Sequence, residues 1–127
     1  MTATESPRPG AAPTLEDLRD ALRRFSAARD WDQFHTPKNL ALALAGETGE
    51  LVQHFRWLTP EESAALPAAA QAEVAAEIAD VLMFLVRLAD RLDIDPIAAS
   101  YAKLAENERR YPVDRARGTA LRHDRLP

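Results

Sequence analysis

The chain has 127 residues, of which 46% are hydrophobic, so it can form one domain with a core of its own and is too short for two ordinary domains. Its 20 acidic residues exceed its 16 lysines and arginines, and the net charge of −4 argues against an extended surface for a nucleic-acid polymer. It has no cysteine, which excludes disulfides and thiolate metal sites, and no apolar run approaches the roughly 18 residues that a membrane span needs.

Both ends of the chain are predicted to lie outside the main domain. Residues 1–13 hold three prolines among small and polar residues and lack the features of a signal peptide, so we expect a loose tail on a cytoplasmic protein. The domain itself is expected to span residues 14–112. The arginine-rich residues 113–127 are expected to form a basic tail that is flexible or lies over a neighbouring subunit.

Apolar residues at helical spacing predict a first helix over residues 15–28, which a capping box at Thr14 opens. The irregular segment that follows carries two aromatic residues and a histidine, Trp31, Phe34 and His35. Aromatic residues clustered on a loop serve either as a plug in the core or as a stacking surface for a flat ligand. The sequence alone favours the plug.

The second predicted helix, residues 37–57, follows Thr36 as its N-cap. In LALALAGETGEL it carries Glu47 and Glu50 three residues apart, which places both carboxylates on one face. Residues 40–45 are apolar on every side of this helix. That pattern is typical of a helix enclosed by protein.

The third predicted helix, residues 68–92, repeats the arrangement after a short capped turn. In EIADVLMFLV it carries Glu77 and Asp80, again three residues apart, next to the apolar run 81–86. Four carboxylates can therefore converge, and their mutual repulsion requires a cation. A hard divalent ion with oxygen ligands is the natural partner, Mg²⁺ first and Mn²⁺ in its place.

An ordinary alternative is that these acids lie at solvated helix edges and pair with Arg56, Arg87 or Lys38. A single E-x-x-E is common on exposed helices. Two such pairs within apolar helices argue against this alternative. Gly46 and Gly49 argue further against it, because glycine is unfavourable inside a helix and usually marks the close approach of a backbone or ligand.

A fourth helix is predicted over residues 96–110, where Lys103, Asn107 and Arg110 align along one stripe. The stripe is either a solvated face, which is the ordinary interpretation, or a set of donors for phosphates. No alternation of apolar and polar residues indicates a strand. The predicted fold is an all-α bundle of four main helices.

A carboxylate cluster that binds Mg²⁺ suits phosphate chemistry, because the metal neutralises developing charge and the substrate's phosphates complete its ligands. The rival is a carboxylate-bridged di-iron oxidase, whose bundle uses E-x-x-H pairs. Here Glu50 and Asp80 occupy the positions of those histidines. Only His54, four residues after Glu50, keeps the rival open.

Several motifs resemble one known family. The pair E-x-x-E and E-x-x-D resembles the signature of the all-α nucleoside triphosphate pyrophosphohydrolases, the MazG-like superfamily. RDWDQFHTPKN, GETGEL, FRW, EIADVL and RRYP look more narrowly like the branch that contains dCTP pyrophosphatase. The resemblance covers residues 14–117.

The resemblance implies Mg²⁺-dependent hydrolysis of a nucleoside triphosphate between its α and β phosphates, which clears non-standard or excess deoxynucleotides. Metal binding and catalysis would fall to the four carboxylates of Glu47, Glu50, Glu77 and Asp80. The implied substrate contacts are Trp31 and Trp57 framing the base, His35, Asn39 and Phe84 nearby, and Lys103, Asn107 and Arg110 on phosphates or sugar. A homotetramer, a dimer of dimers with sites at subunit interfaces, is also implied.

One departure from the family concerns base preference, because the first helix offers no histidine to shape the base pocket. We expect dCTP and modified dCTP as leading substrates, with a broader range of deoxynucleotides second. Phosphoribosyl-ATP is a weaker candidate because that branch lacks the aromatic loop. The alternative from another class is a non-catalytic helical oligomer that acts as an interaction module.

Overall fold

The computed structural model describes residues 10–127, so most of the predicted tail, residues 1–9, lies outside the described residues. The described chain contains α1 (Leu15–Ala28), α2 (Pro37–Gln53), α3 (Pro60–Ser63), α4 (Ala68–Arg91), α5 (Pro96–Arg110), α6 (Val113–Ala116) and a short 3-10 helix (His123–Arg125). Residues 10–127 contain no β-strand, and the prediction of an all-α fold with four main helices is confirmed. None of the helices described between residues 10 and 127 has the length and apolar character to cross a membrane.

Side-chain caps fix where most of the helices begin. Thr14 and Thr59 each accept from the backbone N–H three residues ahead, and the acid at that position bonds back to the cap, which completes two capping boxes. Thr36 caps α2, and the Asp95 carboxylate caps α5 by accepting from two backbone N–H groups. These caps are the sequence signals from which the helix starts were predicted.

The end of the second helix was predicted wrongly. It was expected to continue to residue 57, but α2 ends at Gln53. The backbone N–H groups of His54 and Phe55 bond to carbonyls three residues back, at 3.2 and 3.0 Å, so the chain tightens into turns. The apolar spacing continues through this segment, which is why it resembles a helix in the sequence.

The chain divides into two units, residues up to Asp93 and residues 94–127, and each is described by itself. In the first unit, α2 and α1 both pack on α4. The buried apolar side chains of this unit are Leu40 of α2 with Val74, Val86 and Ala89 of α4. The long α4 is therefore the helix against which the rest of the unit is assembled.

The apolar runs of α2 and α4 are only partly buried, which corrects the expectation that both are enclosed on every side. Leu42 is 63% exposed. On α4, Ile78, Leu82 and Leu85 are 53%, 41% and 45% exposed, and their spacing of four and three residues aligns them in one row. We call these three residues the outer stripe of α4. α1 and α2 pack on other faces of α4 and leave the outer stripe exposed.

The second unit holds α5, α6 and the C-terminal segment. Residues 113–127, expected to form a basic tail, include two short helices. The Nε of Arg115 donates to the carbonyl of Pro127 at 2.7 Å, and Leu126 is buried. The ring of Tyr111 meets that of His123 edge-on at 5.7 Å. These contacts fold the segment back on itself.

Candidate active site

The packing of α2 on α4 brings three of the predicted acids together. Glu47 comes from α2, and Glu77 and Asp80 come from α4. One carboxylate oxygen from each lies within 4.8 Å of the others, and all three residues are half-buried. We call this group the acid cluster. Three converging carboxylates on two packed helices can hold a metal ion.

The described part of the chain supplies no cation to the acid cluster. The Oε2 atoms of Glu47 and Glu77 are buried and have no hydrogen-bond partner among the residues that the structure describes. Within residues 10–127, no ion pair includes any of the four acids predicted at the site. Because a buried polar oxygen without a donor is costly, the cluster fits an external cation. The alternative in which these acids pair with basic side chains is not what the structure shows.

The environment of the acid cluster shifts the pKa of Glu47. Removal from water raises the pKa of Glu47 to about 7, and the neighbouring carboxylates of Glu50, Asp80 and Glu77 contribute to the rise. Burial and the neighbouring negative charge together keep this carboxyl partly protonated at neutral pH. A bound divalent cation would favour the ionised form and reverse the shift.

Glu50 lies outside the acid cluster. Its side chain is exposed, but among the neighbouring carboxylates it contributes most to the raised pKa of Glu47. Gly46 and Gly49 flank Glu47 on α2, and a Cβ added to either glycine would meet no atom within 4 Å. The backbone of residues 10–127 therefore does not approach these glycines closely.

The loop between α1 and α2, residues 29–36, is what we call the aromatic loop. It is partly exposed and does not form the core plug that the sequence favours. Trp31 is 43% exposed and Phe34 is 59% exposed. The ring of Trp31 packs edge-on against Phe25 at 5.6 Å and against His35 at 6.3 Å. The chain therefore holds the indole along its edges and leaves part of it open to solvent.

The other residues predicted near the base differ in how they are held. The Asn39 amide donates to the carbonyl of Phe34 at 3.0 Å and so ties α2 to the aromatic loop. Trp57 is 81% exposed, and the Arg56 guanidinium lies 4.8 Å from its ring centroid. Phe84 is half-buried on α4. Their contact with a substrate stays a prediction.

The stripe of Lys103, Asn107 and Arg110 on α5, which we call the donor stripe, includes a negative charge beside its two basic residues. Glu106 bonds to Lys103 at 3.0 Å and to Arg110 at 2.6 Å, and both neighbours lower the pKa of Glu106. Asn107 is half-buried beside them. Charged donors are thus aligned on α5 as predicted, and their role in phosphate binding stays a prediction.

A buried ion network around Arg87 was not predicted from the sequence. The Arg87 side chain is 7% exposed and pairs with Asp32 and, at 3.5 Å, with Asp90. Asp90 also accepts from Arg23 of α1 at 2.7 Å, and this bond lowers the pKa of Asp90. The signal in the sequence is an arginine directly after the apolar run 81–86 and before Leu88 and Ala89, since a charge among apolar residues needs partners.

Comparison with known proteins agrees with this geometry. The model of the MazG-like family matches residues 43–124. The mouse protein dCTP pyrophosphatase 1 is 45% identical over 117 residues, which cover 91% of this chain and 69% of the mouse protein. Its human counterpart is 44% identical over 125 residues with the same coverage. This chain belongs to the MazG-like family.

A solved structure supports the same assignment of this MazG-like chain. A pyrophosphatase from Archaeoglobus fulgidus is similar with a TM-score of 0.74 and 41% sequence identity, covering 80% of this chain and 95% of the archaeal one. The predicted resemblance to the dCTP pyrophosphatase branch is confirmed, and so is the prediction of an enzyme of the pyrophosphatase class.

Proposed function

We propose that this protein is a Mg²⁺-dependent nucleotide pyrophosphohydrolase that cleaves a deoxynucleoside triphosphate into a monophosphate and pyrophosphate. The observation that carries the proposal is the acid cluster, three carboxylate oxygens within 4.8 Å, in a MazG-like chain. Because dCTP pyrophosphatase 1 is 45% identical, dCTP and modified dCTP are the leading substrates. A broader range of deoxynucleotides is the second candidate, and the proposed role is cytoplasmic house-cleaning of the nucleotide pool.

The donor set fits a hard divalent ion, Mg²⁺ or Mn²⁺. Carboxylate oxygens are the preferred ligands of these ions, and two oxygens of the acid cluster are buried without a donor. Glu47, Glu77 and Asp80 would hold the ion. When bound, it would supply positive charge that offsets the charge of the triphosphate.

Hydrolysis needs a water molecule that is activated for attack on the triphosphate, and Glu50 is the carboxylate best placed to activate it. The family resemblance implies that Glu50 is a fourth metal ligand and that one of the four acids also helps to activate the water; the exposed position of Glu50 beside Glu47 supports its assignment as that general base. Attack of the water oxygen on the phosphorus forms one P–O bond and breaks the bond to the pyrophosphate leaving group. The proton of the water passes to the Glu50 carboxylate.

The remaining predicted residues are proposed to bind the nucleotide. The exposed surfaces of Trp31 and Trp57 suit stacking on a base, and aligned donors suit phosphate oxygens. The proposed contacts are Trp31, Trp57, His35, Asn39 and Phe84 at the base, and Lys103, Asn107 and Arg110 at the phosphates or sugar. A triphosphate would compete with Glu106 for Lys103 and Arg110.

We also propose that the protein is a homo-oligomer whose complete assembly is a tetramer, a dimer of dimers. The outer stripe of α4 leaves Ile78, Leu82 and Leu85 between 41% and 53% exposed in one row. An aligned apolar row of this kind is more typical of a subunit interface than of a solvated surface. A second copy of the chain is the proposed occupant.

Product analysis tests the proposed reaction. The protein is incubated with Mg²⁺ and each deoxynucleoside triphosphate in turn, and the products are separated by anion-exchange chromatography. We expect monophosphate and pyrophosphate in equal amounts, fastest from dCTP or its 5-modified forms. Release of diphosphate and inorganic phosphate would refute the assigned bond cleavage. Absence of any product would favour the non-catalytic interaction module.

A further inference from the structure

Arg87 is the most deeply buried basic side chain of α4, and it contacts the aromatic loop. Its Nε donates to Nδ1 of His35 at 3.2 Å, and a terminal nitrogen donates to Asp32. A second terminal nitrogen lies 3.5 Å from Asp90 on its own helix. One guanidinium therefore joins α4 to two residues of the loop that presents Trp31.

This contact fixes the proton on His35. A guanidinium has no acceptor and stays protonated, so the bond requires a free lone pair on Nδ1 of His35. The neutral ring then carries its proton on Nε2. The hydroxyl of Ser26, 3.4 Å away, also faces Nδ1. Nε2–H is therefore the one polar group that the imidazole has left to offer a ligand.

The surroundings of His35 oppose its protonation. Burial and the charge of Arg87 lower the pKa of His35, and Arg91 of α4 acts in the same direction. Asp32, in the loop, is the charged neighbour that acts in the opposite direction. From α1, the facing group is the neutral hydroxyl of Ser26.

The same side chain relates the loop to the acid cluster. Arg87 lies seven residues after Asp80 on α4, two turns further along the same side of the helix. The loop is also held from α1, since the N–H of Trp31 donates to the carbonyl of Ser26 at 3.0 Å. A helix that carries two acids of the cluster is thus bonded to the loop that carries the indole.

We propose that Arg87 is a positioning residue for base recognition, which holds His35 as the Nε2–H tautomer and fixes the Trp31 loop relative to the acid cluster. A base that contacts His35 would then meet a donor, which suits a carbonyl or ring-nitrogen acceptor of a pyrimidine. The inference rests on the proposed function, in which Trp31 and His35 contact the base.

The test compares Arg87→Met with Arg23→Met. Each variant removes one of the two arginines bound to Asp90, but only Arg87 also contacts the loop. For each protein, kcat and KM are measured with the four deoxynucleoside triphosphates. In Arg87→Met we expect the kcat/KM ratio of the best to the worst base to fall by roughly 2- to 10-fold, the effect of one lost hydrogen bond, mainly through KM. Arg23→Met should match the wild type.

A spectroscopic measurement on the wild type covers the case in which Arg87→Met does not fold. The imidazole nitrogens are observed by ¹⁵N NMR at about pH 6, below the ordinary pKa of histidine, with His54→Gln and His123→Gln for assignment. We expect Nδ1 of His35 to be unprotonated and Nε2 to be protonated. In Arg87→Lys, which keeps the charge but loses the Nε–H, His35 should take up a proton more readily.

The outcomes separate this inference from the function on which it rests. A wild type that hydrolyses no nucleotide would refute the proposed function, and the role of Arg87 with it. An active wild type whose base discrimination is unchanged by Arg87→Met would refute the role of Arg87 alone. A doubly protonated His35 at about pH 6 would also overturn the inference, whatever the activity.

Discussion

Glu47 has one buried oxygen without a donor and a pKa of about 7, well above its ordinary value of 4.5. Its neighbours are carboxylates, and no residue between 10 and 127 supplies the cation that would balance them. The folded protein therefore binds a proton at Glu47 more tightly than the unfolded chain does. This difference links stability to pH and to divalent ions.

The first prediction follows from the sign of that link. Between pH 4.5 and about 7 the unfolded chain holds fewer protons at this site than the folded protein, so the stabilisation from Glu47 is lost as pH rises. In EDTA, the free energy of unfolding of the wild type should fall across this range relative to Glu47→Gln, measured by urea denaturation. Mg²⁺ should restore the wild type at pH 8 and leave Glu47→Gln unchanged. Parallel pH profiles for the two proteins would refute this account of Glu47.

Glu50 gives the second prediction, because it stands beside the acid cluster without belonging to it. Glu50→Gln should keep the rise in Tm that Mg²⁺ produces and lose turnover by at least about 100-fold, the lower range for loss of a general base. Differential scanning fluorimetry and pyrophosphate release measure the two effects. Loss of the Mg²⁺-induced rise in Tm would instead make Glu50 a metal ligand, as the sequence first suggested.

At the scale of the element, α2 carries the unusual feature of two glycines in a helix interior. A Cβ at Gly49 would meet no atom of the described residues within 4 Å, and alanine favours the helix over glycine by about 1 kcal/mol. The third prediction is that Gly49→Ala raises the free energy of unfolding of the isolated subunit by about 0.5–1 kcal/mol. Urea denaturation at low protein concentration measures this.

The same variant also shows whether something outside the subunit needs that space. If Gly49→Ala weakens self-association or raises KM while the isolated subunit is stabilised, a second copy or the substrate approaches the helix at this point. A fall in the stability of the isolated subunit would contradict the open surroundings of Gly49. Ala43→Gly, on the same helix, serves as the reverse control, because it removes a methyl group from a half-buried position and should destabilise the subunit.

Local signals predicted the helices well and their surroundings less well. Thr14, Thr36 and Asp95 act through neighbours two or three residues away, so the sequence contains the whole interaction. The end of α2 was missed because apolar spacing continues into the turns after Gln53. Arg87 was missed as a structural centre because His35 and Asp32 lie 52 and 55 residues away in the sequence.

For the acid cluster, the spacing of each pair was readable from the sequence but the rotation of the helices was not. The two pairs could be assigned to one face each, and three of the four carboxylates do converge. Which carboxylate lies outside the acid cluster depends on the rotation of α2 about its own axis where it packs on α4. Only the packing of the two helices determines that rotation. Glu50 is the residue that this rotation leaves exposed.

At the scale of the whole molecule, the sequence does not show what covers the apolar runs of α2 and α4. An apolar face looks the same in the sequence whether the chain's own core or another copy covers it. Leu40 and Val86 are buried within the subunit, whereas Leu82 and Leu85 remain exposed. The proposed homo-oligomer accounts for the exposed part.

The fourth prediction tests that assembly. Leu85→Glu places a charge on the outer stripe of α4 and should shift the protein from oligomer to smaller species, because an unpaired charge in an interface is costly. Size-exclusion chromatography with light scattering measures the mass. Leu121→Glu, at a residue 49% exposed in the second unit, is the matched control and should keep the wild-type mass. A monomeric wild type would rule out the proposed assembly.

The most direct test of the metal-dependent site is the rate of pyrophosphate release from dCTP as a function of Mg²⁺ concentration, in the wild type and in Asp80→Asn. We predict a rate that rises to saturation with Mg²⁺ and that EDTA abolishes. We also predict that Asp80→Asn loses at least about 100-fold in rate while keeping its helical circular dichroism. Wild-type turnover in EDTA, or an Asp80→Asn variant as active as the wild type, would contradict the claim that the acid cluster binds the metal for nucleotide cleavage.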